Sequence, residues 1–322
     1  MLIKTRAELE KTHKLFPREK AWFDSPQEKE FGFQVTPYYL SLAGKEKNDP
    51  IRRQCIPLDK EFKMSPGELA DPIGDAHYTK TPALIHRYPD RALLLVTDQC
   101  AAFCRFCFRR HYSGKGRGAI TEAELRKAAS YLKRHPQISE LILSGGDPLT
   151  LSDKRLFEII DVLRTARPDL TLRLSTRIPA VLPSRITRNL ALGLNRRRPV
   201  WLVVHINHAR ELTPESDKAL RCFALAGIPL LSQTVLLAGI NDTAAVLEEL
   251  FRCLVSQGVK PYYLFQADLA RGTAHFRVPL SRGRAIMKAL SRRLSPLALP
   301  VYAMDLGDGK IPLNSFREEN DT

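Results

Sequence analysis

No run of apolar residues in this chain approaches the roughly 20 that a membrane-spanning helix needs. Its start, Met1-Leu2-Ile3-Lys4-Thr5-Arg6, also lacks the apolar core of a signal peptide. Both absences predict a cytoplasmic protein with no membrane association. Cysteine is scarce, six in 322 residues, and in a reducing compartment such thiols serve as metal ligands and buried side chains rather than disulfides. Acidic residues are outnumbered 35 to 50 by lysine and arginine, for a net charge of +15. That excess would suit a nucleic-acid binder, yet no aromatic-basic ladder accompanies it and the densest runs are only Arg196-Arg197-Arg198 and Arg292-Arg293. The dispersal argues against nucleic acid and reads as solvated helix ends, with some charge left for anionic ligands or an acidic partner.

What is present is a globular composition, 44% hydrophobic and 26% charged, on a chain long enough for one large α/β domain with extensions. Three of the cysteines fall in one stretch, Cys100-Ala101-Ala102-Phe103-Cys104-Arg105-Phe106-Cys107, directly after the apolar run Ala92 to Val96. A closed structural zinc site wants four protein ligands, whereas three thiolates on a [4Fe-4S] cluster leave one iron open for a substrate. A zinc loop or three unrelated buried thiols are the alternatives. Cys55 has no ligand partner nearby and reads as a structural thiol, and Cys222 and Cys253 lie along apolar helical stripes as core residues.

Residues 1 to about 33 are polar and charged, broken at Asp24-Ser25-Pro26, and predict a loosely packed helical lead-in. Beyond the cysteines the chain alternates. Apolar residues recur with helical spacing at Leu125, Ala128, Ala129 and Leu132, at Leu156, Ile159, Ile160 and Leu163, and at Leu247, Leu250, Phe251 and Leu254. Between and around them lie strand candidates at Ala92–Thr97, Glu140–Leu143, Leu170–Ser175, Val200–Ile206, Leu230–Leu237 and Pro261–Phe265. Six βα units predict a partial (β/α)6 barrel with right-handed crossovers, a doubly wound open sheet being the other arrangement. The expected division is an N-terminal helical extension over 1–85, the barrel over 86–297 and a C-terminal segment over 298–322.

In such a barrel the chemistry gathers after each strand. There the sequence places the cysteines, Ser144-Gly145-Gly146-Asp147, Ser175-Thr176-Arg177, His205-Ile206-Asn207-His208, Gln233 and Gln266-Ala267-Asp268. A diglycine is most often only a tight turn, though at Gly145-Gly146 its bare backbone could offer carbonyls to an ammonium. Arg87 and Arg91 flank a turn before the first strand and could receive an oxyanion, although on composition alone they read as solvated arginines. Lys310 sits in a late glycine-containing turn and could form a Schiff base with an aldehyde cofactor if the turn folds over the barrel mouth.

The cysteine spacing, with an aromatic residue just before the last cysteine, resembles the cluster loop of the radical S-adenosylmethionine enzymes. More widely, Thr36-Pro37-Tyr38-Tyr39-Leu40-Ser41-Leu42, His86-Arg87-Tyr88-Pro89-Asp90-Arg91, the cysteine loop, Leu143-Ser144-Gly145-Gly146-Asp147, His205-Ile206-Asn207-His208, Gln233-Thr234-Val235-Leu236-Leu237 and Lys260-Pro261-Tyr262-Tyr263 stand in a fixed order. Over roughly Phe33 to Leu313 that order resembles the lysine 2,3-aminomutase family. The resemblance implies a [4Fe-4S] cluster on Cys100, Cys104 and Cys107, S-adenosylmethionine along Ser144, Gly145, Gly146, Asp147, His205 and Gln233, and pyridoxal 5'-phosphate carried by Lys310 with Arg87 and Arg91 at its phosphate. It further implies Arg109 at the carboxylate of the substrate L-lysine and Asp268 with Asp305 at its side-chain ammonium, Asp308 being an alternative to Asp305. A 5'-deoxyadenosyl radical would take hydrogen from the β-carbon before the amino group migrates.

The long members of that family continue past this lysine into a cysteine-rich tail that helps bind a structural zinc. This chain has none there, so no such zinc is expected, and a homo-oligomer of a different kind is left open. The short tail, with Cys107-Phe108-Arg109-Arg110-His111-Tyr112, looks more like the subgroup making (R)-β-lysine for translation elongation factor P. That likeness implies a pathway link to the factor and its ligase, and the chemistry implies an electron donor such as flavodoxin or ferredoxin. An aminomutase acting on another cationic amino acid, and a radical enzyme modifying RNA without pyridoxal phosphate, are the alternatives.

Overall fold

In the computed structural model, which describes residues 2–27, 29–306 and 309–313, all six expected strands form and pair in parallel. They are β3 (Arg91–Thr97), β4 (Glu140–Gly145), β5 (Thr171–Thr176), β6 (Val200–His205), β7 (Leu230–Leu236) and β8 (Lys260–Gln266). Four more extend the sheet at its two sides: β1 (Thr79–Thr81) and β2 (Leu84–Tyr88) before, β9 (Val301–Leu306) and β10 (Gly309–Pro312) after. The order runs β1 to β10 without interruption, so each strand pairs only with its neighbours in sequence. β2 is antiparallel to β3, β9 continues the parallel run, and β10 turns back antiparallel on β9, pairing Lys310 with Asp305. Asp308 lies outside the described residues.

Each crossover helix forms where its apolar stripe and its cap agree. Thr121 and Glu124 make a reciprocal capping box at the start of Glu122–Arg134, and Ser152 and Thr243 cap Asp153–Ala166 and Ala244–Ser256. The stripes Leu125/Ala128/Ala129/Leu132, Leu156/Ile159/Ile160/Leu163 and Leu247/Leu250/Phe251/Leu254 are buried, as their spacing predicts. A buried leucine of this kind, truncated to alanine, costs about 2–5 kcal/mol.

The strands alternate rather than being apolar throughout. On β5, Leu172 and Leu174 are fully buried in the main core, while Arg173 and Ser175 line the cavity inside the curved sheet. Ile142 and Ser144 on β4, Val203 and His205 on β6, and Gln233 and Val235 on β7 line it likewise. That period of two places the chemistry.

The lead-in is not loosely packed. Leu9, Leu15 and Trp22 belong to the main core, and Glu19 pairs with Arg52 at 2.6 Å with both side chains almost fully enclosed. The polar letters that suggested looseness include Glu19, the acid of this buried pair, and Trp22 and Phe23 supply the aromatic anchors, meeting edge to face at 4.9 Å. Cys55 is buried as expected, whereas Cys222 and Cys253 are only partly so.

Candidate active site

The cysteine loop leaves β3 through Asp98, whose buried carboxylate accepts the backbone N–H groups of Arg117 (2.9 Å) and Gly118 (2.8 Å) and so fixes where the loop returns. From the other side the N-terminal extension strings the loop up. Gln34 donates to the Cys100 carbonyl at 2.5 Å, and the N–H groups of Phe103 and Arg105 donate to the carbonyls of Gln34 and Gln54. Below it, fully buried Arg105 pairs with Glu61 at 2.5 Å. The diglycine is required here by close approach: a Cβ on Gly146 would stand 2.2 Å from the Gln99 carbonyl oxygen, and one on Gly145, where φ is +114°, 2.3 Å from that of Thr97.

Two observations test what this loop can hold. Ligands at about 2.3 Å from one zinc ion cannot stand more than about 4.6 Å apart, yet the three sulfurs are not all within 4.8 Å of one another. A cluster that gives each thiolate its own iron matches the wider spacing. Burial also pushes the Cys107 thiol up to about 11 and holds Cys100 well above the usual thiol range, so these sulfurs ionise only against a cationic guest. The loop fits a cluster.

The loop forms one end of a cavity of about 290 Å³ that reaches to Lys310. Ser144, Gly145, Gly146, Asp147, His205 and Gln233 all line it. Burial, and next the charge of Arg177, bring His205 down to about 3, so it is a neutral ring, its Nε2 3.1 Å from Asn207 Oδ1. Asp147 is occupied structurally: its carboxylate accepts from Thr176 Oγ1 (2.7 Å), Arg177 N (2.7 Å) and Leu149 N (3.0 Å). Asn207 and His208 are structural too, Asn207 bonded to Gln54 and Val235 and His208 capping a short turn.

At the far end Lys310 opens into the cavity, its Nζ 4.8 Å from the Phe265 ring centre and 5.1 Å from that of Tyr263. Although its surface is exposed, the exposure is to an enclosed space walled by protein. Desolvation there, then the charge of Arg173, brings its ammonium down to about 8, partly opposed by Asp305 and Asp268. Three buried donors around this end have no hydrogen-bond partner among the described residues, namely Arg87 Nε, Arg173 Nε and Tyr88 OH. Arg91 lies 3.7 Å over the Tyr88 ring. A softened lysine beside unfilled guanidinium donors fits an aldehyde that carries a phosphate.

Asp268 and Asp305 are close enough to repel. Burial and then Asp305 raise Asp268 to about 7, with Lys310 and Arg109 pulling the other way. Asp305 is also bridged to Arg87 at 2.6 Å, which ties a residue expected at the phosphate to one expected at the substrate's ammonium. Arg109, nearly buried, is held along one edge by Asp75 of the N-terminal extension, whose Oδ2 accepts from Nε (2.9 Å) and Nη2 (2.8 Å). Its Nη1 has no hydrogen-bond partner among the described residues.

Thus the structure brings every residue that the resemblance assigns, Asp308 aside, to one cavity. Sequence reasoning did not select Arg173, Tyr88 and Asp75 for the site, although all three line the cavity, as does Arg177 from the strand-end Ser175-Thr176-Arg177. The polar alternation Arg173, Ser175 against Leu172, Leu174 was the available signal for the first; Asp75, brought in from a distant segment, had none.

A model of the Radical SAM superfamily matches residues 94–250. The chain is 43% identical over 282 residues to the L-lysine 2,3-aminomutase of Fusobacterium nucleatum subsp. nucleatum, covering 87% of this chain and 66% of that protein. To the L-lysine 2,3-aminomutase of Acetoanaerobium sticklandii it is 42% identical over 282 residues, 87% of this chain and 68% of that one. It therefore spans about two thirds of the length of these curated relatives. A radical SAM methyltransferase from Sphaerobacter thermophilus shares the fold, with TM-score 0.52 at 20% identity over 70% of this chain and 71% of that one.

Proposed function

The chain belongs to the lysine 2,3-aminomutase family of the radical S-adenosylmethionine superfamily, and from that premise we propose that it moves the α-amino group of L-lysine to the β-carbon. The product we propose is (R)-β-lysine, destined for attachment to translation elongation factor P. One observation carries the reaction: a single cavity presents Arg109, Lys310 and the carboxylates of Asp268 and Asp305 together with the three cluster cysteines. When bound, the cluster and S-adenosylmethionine supply a hydrogen-abstracting radical, and pyridoxal phosphate supplies a conjugated ring that delocalises the migrating centre.

The protein's own residues supply position and charge. The free edge of Arg109 receives the substrate carboxylate, oriented by Asp75 behind it. Asp268 receives the side-chain ammonium, and the second carboxylate at Asp305 strengthens the field while Arg87 keeps it in place. An anionic tail such as that of glutamate would meet two carboxylates and be repelled. Lys310 takes up the aldehyde cofactor and, when displaced by substrate, keeps a nearby amine able to hold a proton. Tyr263 and Phe265 wall this end against water.

The test is anaerobic turnover of L-lysine by the reconstituted chain, with the product resolved by chiral derivatisation. (R)-β-lysine, lost in Lys310→Ala, is expected. An (S) product would remove the elongation-factor role, and turnover of arginine or ornithine in preference to lysine would overturn the substrate.

A further inference from the structure

We infer that Arg177 is a positioning residue for the cluster, holding Cys104 by a hydrogen bond that raises the cluster's reduction potential, and that the N-terminal extension sets its aim. Arg177 stands just past β5, where Asp147 accepts its backbone N–H at 2.7 Å. Its buried guanidinium divides its work between two nitrogens. Nη1 donates to Cys104 Sγ at 2.7 Å. Nη2 is engaged by Tyr39 OH at 2.7 Å, Gln54 Oε1 at 2.6 Å and Glu211 Oε2 at 2.7 Å. The guanidinium carbon also lies 5.1 Å from the ring centre of Tyr39 and 5.2 Å from that of Phe106.

The anchor is itself fixed. Fully buried Glu211 accepts the backbone N–H groups of Asn207 (2.9 Å) and His208 (3.0 Å) and the side-chain amide of Gln54 (3.2 Å). A buried guanidinium that needed only a counter-charge would be satisfied by Glu211. Here Tyr39 and Gln54, both from the extension, fix the plane as well and leave Nη1 to the sulfur. A cationic donor on a cluster sulfur favours the more negative, reduced state, and hydrogen bonds of this kind are among the levers that set cluster potentials. Uptake of one electron from a reductant then occurs at a less negative potential. The inference requires a cluster on Cys100, Cys104 and Cys107 but neither lysine turnover nor pyridoxal phosphate.

The experiment is a dithionite redox titration of the full chain, reconstituted anaerobically with iron and sulfide and followed by the electron paramagnetic resonance of the one-electron-reduced cluster. S-adenosylmethionine is left out, so that any contact Arg177 makes with it does not enter. At a fixed potential the ratio of reduced to oxidised cluster should fall about tenfold in Arg177→Gln, equivalent to about 59 mV for one electron, with altered g values. Arg177→Lys keeps the charge but cannot hold both anchor and sulfur, and should shift the same way. Tyr39→Phe, which loosens the anchor alone, should shift less. A midpoint and g values equal to wild type in whichever Arg177 variant loads its cluster overturn the inference. If neither loads, Tyr39→Phe decides, a lowered midpoint supporting it and an unchanged one overturning it. A shifted potential in a chain inactive on lysine would leave this inference standing while the proposed reaction fell.

Discussion

Arg87 Nη1 lies 2.6 Å from Asp305 Oδ1, and the two side chains join the second strand of the sheet to the ninth across the gap that no ladder closes. Both side chains are about nine-tenths enclosed, 9% and 12% exposed. Leaving either charge alone there is costly, since breaking a buried pair exposes its partner to an uncompensated desolvation. Arg87→Ala and Asp305→Ala should each lower unfolding stability by about 3–5 kcal/mol. The double variant should lose less than their sum, with a coupling of at least about 1 kcal/mol. Denaturant unfolding of the four proteins measures this, and additive losses would mean that the bridge does not close the barrel.

Asp305 also acts on Asp268, and through it on the acid limb that the proposed function predicts. Asp268 holds a cationic tail only when ionised, and with a value of about 7 it is ionised above that pH and neutral below it. On the proposed function, kcat/KM for lysine should fall tenfold per unit as pH drops below about 7. Asp305→Asn removes the second-largest cause of the upward shift, so the limb should move to lower pH even as the maximum rate declines. Asp268→Asn should abolish the limb and reduce kcat/KM by about 10–100-fold, the loss of one charge-assisted contact. A limb that stays put in Asp305→Asn would show that another group titrates.

The frame of this fold was legible because its signals are local. The three helical stripes and six strand runs all formed, the strands with bounds within two residues of those expected, since burial against one sheet imposes the period directly. The cysteines, Gly145-Gly146 and His205 were legible as strand-end residues for the same reason. β2 and β10 were not anticipated, although they carry Arg87 and Lys310, because each is a short antiparallel strand, β10 at the edge of the sheet and β2 next to it, that forms only when a neighbour is already in place. The Glu19–Arg52, Asp75–Arg109 and Arg177–Glu211 pairs were equally hidden. Each joins charges 33 or 34 residues apart, and nothing in a stretch of polar letters distinguishes a buried partner from a solvated side chain.

Lys310 offers a prediction that needs no turnover. An ordinary lysine is protonated until near 10.5, but desolvation and Arg173 favour the neutral amine here and bring the value to about 8. The nucleophilic fraction therefore grows as pH rises through about 8 and is small below it. Capture of pyridoxal phosphate by the chain, fixed with borohydride and mapped by peptide mass, should follow that curve at Lys310 while surface lysines react only at higher pH. Arg173→Met removes a repelling cation and should raise the inflection. An inflection near 10.5 at Lys310 would contradict the enclosed site.

Gly146 gives the sharpest test of how the cluster loop is held. A methyl group there would face the Gln99 carbonyl oxygen at 2.2 Å and backbone carbons of Asp98 and Gln99 at 2.7 Å. Those atoms belong to the start of the loop itself, which is bonded back across this turn by Gly146 N to Thr97 O and Asp147 N to Gln99 O, both at 2.7 Å. Relief by side-chain rotation is therefore closed, and the loop must move away from β4. Since Cys100 follows Gln99 directly, the displacement reaches the first ligand. Gly146→Ala should fold, because the helices and the remaining strands do not depend on the contact, yet retain several-fold less iron and sulfide after reconstitution. Gly227→Ala serves as the control: its φ of +77° is strained by any side chain, but a Cβ there meets nothing within 4 Å. Stability should fall modestly in that control, about 1 kcal/mol, with iron content unchanged. Full cluster loading in Gly146→Ala would show that the loop adapts, and the diglycine would then be a turn and nothing more.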